Sequence, residues 1–207
     1  ALTAAQAELM CHGCDDAQAL RPLLDRADVI AIGPGLGTDA WARSLFAAVL
    51  ESDKALVLDA DALNLLAAEP VTLANAVLTP HPGEAARLLG CTTAEIQRDR
   101  LAALQAIERR YAAVVVLKGA GSLISGDPYV AVCPYGNPGM GTGGMGDALT
   151  GIIAALRAQG LGTCGAAQTG VLVHALAGDR AALQGERGLL PDDLIAELRS
   201  LGNPCRP

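Results

Sequence analysis

Asp28-Val-Ile-Ala-Ile-Gly-Pro-Gly-Leu-Gly37 is an apolar run that ends in a glycine-rich turn, the pattern of a buried strand feeding a loop. A helix is expected after it, near residues 40–51. The unit then repeats. Ala55-Leu-Val-Leu58 reads as a strand with Asp59-Ala-Asp61 at its end, a helix starts near Ala62, and Ala76-Val-Leu-Thr79 is a third strand stopped by Pro80. Further on, a helix near residues 84–89 and a longer one near 94–111 precede Val114-Val-Val-Leu-Lys118, a β-branched run bounded by Gly119 that reads as a central strand. Residues 123–125 and 129–132, around Gly126-Asp-Pro128, suggest a hairpin. Helices are expected over 148–159, 164–183 and 192–201. Strands alternating with helices imply an α/β fold with a mostly parallel sheet covered on both faces, read as one domain over 1–207.

Composition agrees with that layering. Hydrophobic residues make up 51% of the 207 residues but aromatics only 2%, so aliphatic side chains must fill the core. Fifteen basic residues against 22 acidic ones give a net charge of −7, and no Lys or Arg run offers a phosphate-backbone footprint, so nucleic acid is not an expected partner. No apolar stretch has the length of a membrane span and no signal sequence opens the chain, which makes a membrane an unexpected partner and a cytoplasmic location the default. The six cysteines are scattered and read as reduced thiols; the pair Cys11 and Cys14 has no second pair downstream to complete a zinc site.

In a sheet of this kind, ligands bind outside the carboxyl ends of the strands. The unusual residues lie there, in the segments 33–37, 59–64, 79–84, 118–122 and 137–147. The last is the most informative. Gly136-Asn-Pro-Gly-Met-Gly-Thr-Gly-Gly-Met-Gly-Asp147 carries six glycines in eleven positions and runs into a helix expected near Ala148. Backbone N–H groups at that density, together with a helix N-terminus, form an anion cradle. Asp147, where loop becomes helix, is either an N-cap or a general base that takes a proton from a substrate hydroxyl as its oxygen attacks a nucleotide phosphate. The glycine-rich anion hole beside it favours the base.

Other segments leave two readings open. His81 in Thr79-Pro-His-Pro-Gly-Glu84 is held by prolines on both sides and aimed from a strand end. Glu84 is a site residue or a first-turn acid, and Lys118 a phosphate contact or a solvated strand end. Asp59 and Asp61 alternate across a strand end and point to opposite sides, with Asp61 and Asn64 favoured as supports of the pocket.

Gly143-Gly-Met-Gly-Asp147 resembles the G-x-G-D signature of ribokinase-like kinases. With Asn137-Pro-Gly-Met140 it is similar to the signature of the NAD(P)H-hydrate dehydratases, and 78–84, 58–64 and 32–37 resemble three further blocks of that family in the same order. Weaker similarity continues through His174-Ala-Leu-Ala-Gly-Asp179 and 190–194. The resemblance implies a ribokinase-like three-layer α/β/α fold and an ATP- or ADP-dependent dehydration of hydrated NADH or NADPH through a phosphorylated intermediate, with Mg²⁺. It implies Asp147 as catalytic base, and Gly35, Gly37, His81 and Asp147 as substrate contacts. Lys118, Gly119, Ala120, Gly121, Ser122, Gly143, Gly144 and Gly146 would hold the nucleotide, and Glu84 would reach the metal through water. A homo-oligomer and an upstream NAD(P)HX epimerase domain are the protein partners expected. Two departures stand out: Met145 replaces the family's usual Thr, removing a hydroxyl near the phosphate site, and the domain is expected to lack its N-terminal portion. A vitamin-precursor kinase and a non-catalytic nucleotide-binding subunit are the rival readings.

Overall fold

A computed structural model describes residues 6, 9–126 and 128–203. Asp127, at the expected hairpin turn, and Cys205 lie outside the described residues. The elements in order are α1 (Ala17–Arg26), β1 (Val29–Ile32), α2 (Ala40–Leu50), β2 (Ala55–Leu58), α3 (Ala60–Ala68), β3 (Ala76–Leu78), α4 (Pro82–Leu89), α5 (Thr93–Arg98), α6 (Arg100–Tyr111), β4 (Val114–Leu117), β5 (Ser122–Ile124), β6 (Ala131–Cys133), α7 (Met145–Ala158), α8 (Thr163–Ala181) and α9 (Pro191–Leu201). A 3₁₀ turn, Pro138–Gly141, precedes α7.

Six strands form one sheet in sequence order, with β1 to β4 parallel and β5 and β6 antiparallel. Successive side chains of a strand face opposite sides, and both sides here are apolar. Leu56, Leu58, Leu78, Val115 and Leu117 face one layer, where they meet Phe46, Leu63, Leu66, Leu88, Leu104 and Ile107 from α2 to α6. Val57, Val77 and Val116 face the other, against Leu149 and Ile153 of α7 and Ala166, Ala167 and Val171 of α8. Small residues let those two helices close up: a Cβ at Gly170 would lie 2.7 Å from Ile153 Cγ1. The three-layer α/β/α architecture is as the sequence implies.

Three expectations change. The run at 28–32 is not a fully buried strand, because among the described residues β1 is an edge strand and Ala31 is exposed. Helix α1 has no counterpart in the sequence reading; Asp16 caps it by accepting from Ala19 N, but Pro22 inside it breaks the local pattern. Finally, α7 begins at Met145 rather than near Ala148, since Gly144 at φ 89° serves as its N-cap.

Candidate active site

Strand β2 delivers Asp59 to the rim, where it is buried with 1% exposure. Charge at that depth needs a partner. Lys118, directly after β4, supplies one, with its Nζ donating to Asp59 Oδ1 at 2.7 Å, and Thr150 Oγ1 of α7 donates to Oδ2 at 3.0 Å. Glu84 Oε2 lies 3.8 Å from the same ammonium. Lys118 is therefore not a solvated strand end but the hub of a network that ties β2, α4, β4 and α7 together. Strand alternation does not explain the two aspartates: Asp59 sits at the N-cap of α3 and Asp61 in its first turn. Between them Ala60 takes a left-handed φ of 47°, uncommon for a residue with a side chain, and it lines the site.

Thr79-Pro-His-Pro-Gly-Glu84 becomes the start of α4. His81 is its N-cap: Nδ1 accepts from Gly83 N at 2.9 Å and Glu84 N at 3.3 Å, while Glu84 Oε2 accepts from His81 N at 2.7 Å. An Nδ1 that accepts two amides leaves the imidazole proton on Nε2, which lies 3.4 Å from Glu84 Oε1 with the side chain half exposed. His81 is thus both structural and available to a ligand. Glu84, by contrast, is buried and committed to the capping box as well as to Lys118.

The glycine-rich segment closes the rim. No side chain caps α7; Met145 N donates to the Thr142 carbonyl and Ala148 N to the Gly144 carbonyl, which leaves the Gly146 and Asp147 amides for an anion. A Cβ at Gly146 would lie 3.1 Å from Lys118 Nζ, which sets the ammonium beside that helix start. Asp147 is the third helical residue and is exposed, so the N-cap reading does not hold for it. Met145, where the family's usual Thr is replaced, is buried in a cluster with Ala177, Ala181, Leu189 and Leu194, and it also borders the site.

Two cavities meet here. One, of about 640 Å³, is lined by Lys118 to Ser122, Cys133 to Pro138, Gly146, Val171 and His174. The other, of about 410 Å³, is lined by Asp59, His81, Glu84 and Gly143 to Asp147. Lys118, Gly119, Met140, Gly141, Met145 and Gly146 border both. One cavity therefore gathers Gly119, Ala120, Gly121 and Ser122, the other His81 and Asp147, and the helix start lies between. The turn with Gly35 and Gly37 lines neither; Gly37 N donates to Asp61 Oδ2 at 2.8 Å, and Asn64 links Asp61 to Arg87. Asp61 and Asn64 thus support that turn.

Sequence reasoning missed Thr150, the Asp59–Lys118 pairing, His174 and Arg100. Arg100 donates to the carbonyls of Ala120 at 2.8 Å and Leu117 at 3.1 Å, bracing the loop after β4. An Arg in a charged helix carries no local signal of such a role. Among the described residues no group of three or more His, Cys, Asp or Glu side chains could hold a metal ion.

This sheet order with a glycine-rich helix start is that of the ribokinase-like fold. A ribokinase-like superfamily protein from Enterococcus faecalis matches with a TM-score of 0.87 at 32% identity, over 97% of this chain and 71% of that one. The chain belongs to the NAD(P)H-hydrate dehydratase family, whose model matches residues 1–200. The bifunctional NAD(P)H-hydrate repair enzyme of Coxiella burnetii is 55% identical over 199 residues, which are 95% of this chain and 41% of that protein. The ADP/ATP-dependent NAD(P)H-hydrate dehydratase from Bacillus subtilis, co-crystallised with ATP and Mg²⁺, matches with a TM-score of 0.75 at 29% identity, over 84% of this chain and 64% of that one. The chain thus spans about two fifths of the length of its bifunctional relative. Among the described residues no helix is long and apolar enough to cross a membrane.

Proposed function

We propose that this chain catalyses the ATP- or ADP-dependent dehydration of hydrated NADH or NADPH, restoring the reduced coenzyme. The observation that carries the reading is the uncapped start of α7, with Lys118 beside Gly146 and Asp147 on the neighbouring cavity. The nucleotide lies in the larger cavity, against Lys118 to Ser122, with its terminal phosphate at Gly143, Gly144 and Gly146. The hydrated nicotinamide lies in the smaller one, beside His81 and Asp147, with the turn at Gly35 and Gly37 on the substrate side. Mg²⁺ would neutralise phosphate charge there, with Glu84 reaching it only through water.

Hydroxide is a poor leaving group, so the ring hydroxyl is first phosphorylated. Asp147 accepts its proton as the oxygen attacks the terminal phosphorus, and the α7 amides hold the charge that develops on the phosphoryl oxygens. Loss of phosphate from the ring carbon and of a proton from its neighbour then restores the double bond. A cytoplasmic setting follows, since ATP and the reduced coenzymes are found together there. A homo-oligomer and an upstream epimerase domain belong to the same proposal.

The experiment is to supply hydrated NADH with ATP and Mg²⁺ and follow the absorbance of the reduced nicotinamide. Recovery of NADH with stoichiometric ADP and inorganic phosphate is expected. Accumulation of a phosphorylated organic product would point to a kinase, and nucleotide binding without turnover to a binding subunit.

A further inference from the structure

The geometry of a helix N-terminus does not by itself aim one amide at a reacting atom; something must hold the peptide plane. Helix α8 carries a strip of residues at positions 174, 175, 178 and 179, spaced so that all four share one side. The glycine-rich segment lies along that strip. At its start, Asp179 Oδ2 accepts from Gly136 N at 3.0 Å and Oδ1 accepts from Asn137 Nδ2 at 3.0 Å. Asn137 Oδ1 in turn accepts from Gly139 N at 3.0 Å and caps the 3₁₀ turn. In the middle, Gly178 leaves room for Met140, whose Sδ would lie 2.4 Å from any Cβ placed there. At its end, His174 Nε2 donates to the Met145 carbonyl at 2.9 Å.

The last bond is the informative one. The Met145 carbonyl and the Gly146 N–H belong to a single peptide unit, which is planar and trans, so the two point in opposite directions. Fixing the carbonyl toward α8 therefore directs the Gly146 N–H away from α8. A donor on the carbonyl also polarises the peptide and strengthens its N–H as a donor. His174 does this as a neutral imidazole, because burial pushes its pKa down to about 4. Its sole polar contact among the described residues is this carbonyl.

We propose that His174 is a positioning residue that orients the Gly146 amide toward the transferring phosphoryl group, with Asp179 anchoring the opposite end of the same loop. This rests on the reading that nucleotide phosphates bind at the start of α7.

The test compares His174→Leu, which removes the donor at similar size, with His174→Gln, whose amide nitrogen can occupy the place of Nε2. Calorimetry with Mg²⁺–ADP, steady-state kinetics and the Gly146 amide resonance are the readouts. His174→Leu should raise the nucleotide Kd and lower kcat by roughly 10- to 100-fold, as loss of outer-shell support does elsewhere, while the KM for the hydrated coenzyme stays within about twofold. His174→Gln should recover most of the loss, and the nucleotide-induced shift of the Gly146 amide should be seen in wild type and Gln but shrink in Leu. If the Leu variant does not fold, Asp179→Asn, which gives up one of two loop bonds, should raise the nucleotide KM without moving the coenzyme KM. Equal nucleotide affinity and amide shift in wild type and Leu would overturn the proposal. So would parallel losses of both KM values and of Tm in Leu and Gln alike, which would mark a merely structural role. A wild-type Gly146 amide that ignores nucleotide would instead overturn the underlying placement of the phosphates.

Discussion

At the scale of single residues, His81 and Met145 each separate two roles. His81→Ala removes both the N-cap of α4 and the exposed imidazole, whereas His81→Asn keeps a capping acceptor and removes only the imidazole. Ala should cost about 1 kcal/mol of stability and raise the KM for the hydrated coenzyme; Asn should raise that KM with Tm unchanged. Thermal melting and steady-state kinetics on the pair check this, and an unchanged KM in Asn would leave His81 as a cap alone. Met145→Thr deletes volume from the cluster with Leu189 and Leu194 and buries a hydroxyl there. It should destabilise by about 1–3 kcal/mol and leave nucleotide Kd unaltered, measured by denaturant unfolding and calorimetry. The departure from the family's Thr suggested a lost phosphate contact, and the burial of Met145 in this cluster could not be read from the sequence. Which way a side chain points at a helix start depends on where the helix begins, and the glycine N-cap that decides it, Gly144, is one of six glycines in a row of candidates.

At the scale of elements, the β1–α2 turn and the α3 start touch through backbone. Gly33 has φ 133°, and a Cβ there would fall 1.7 Å from the Asp59 carbonyl oxygen. Gly33→Ala should therefore cost more than about 4 kcal/mol and disturb Asp59, Lys118 and Thr150 together; near wild-type urea unfolding would contradict this packing. The apolar runs of β2, β3 and β4 were legible because alternate residues face two apolar layers and leave nothing polar in the run. Helix α1 was not, because Pro22 obscures it. The rim segments were legible from their glycines, prolines and acids. The bond between Asp59 and Lys118, 59 residues apart, could not be read from local pattern, since long-range pairing is set by strand order.

For the whole molecule, pH should act through His174. Its folded pKa of about 4 lies below its ordinary value of 6.5. The unfolded chain therefore takes up a proton first as pH falls, and stability is lost progressively from pH 6.5 down to about 4, by about 3 kcal/mol in all. Above pH 6.5 the residue is neutral in both states and contributes no slope. Urea unfolding of wild type and His174→Gln across that window should show a shallower acid loss in the variant; identical profiles would mean that His174 titrates freely. In the proposed reaction the base is Asp147, which stands exposed in the first turn of α7. Asp147→Asn preserves size but cannot accept a proton. Turnover of hydrated NADH with ATP, measured alongside Tm, should fall by roughly 10²–10⁴-fold while Tm barely moves. Wild-type turnover in this variant would contradict Asp147 as the base and with it the mechanism proposed at this helix start.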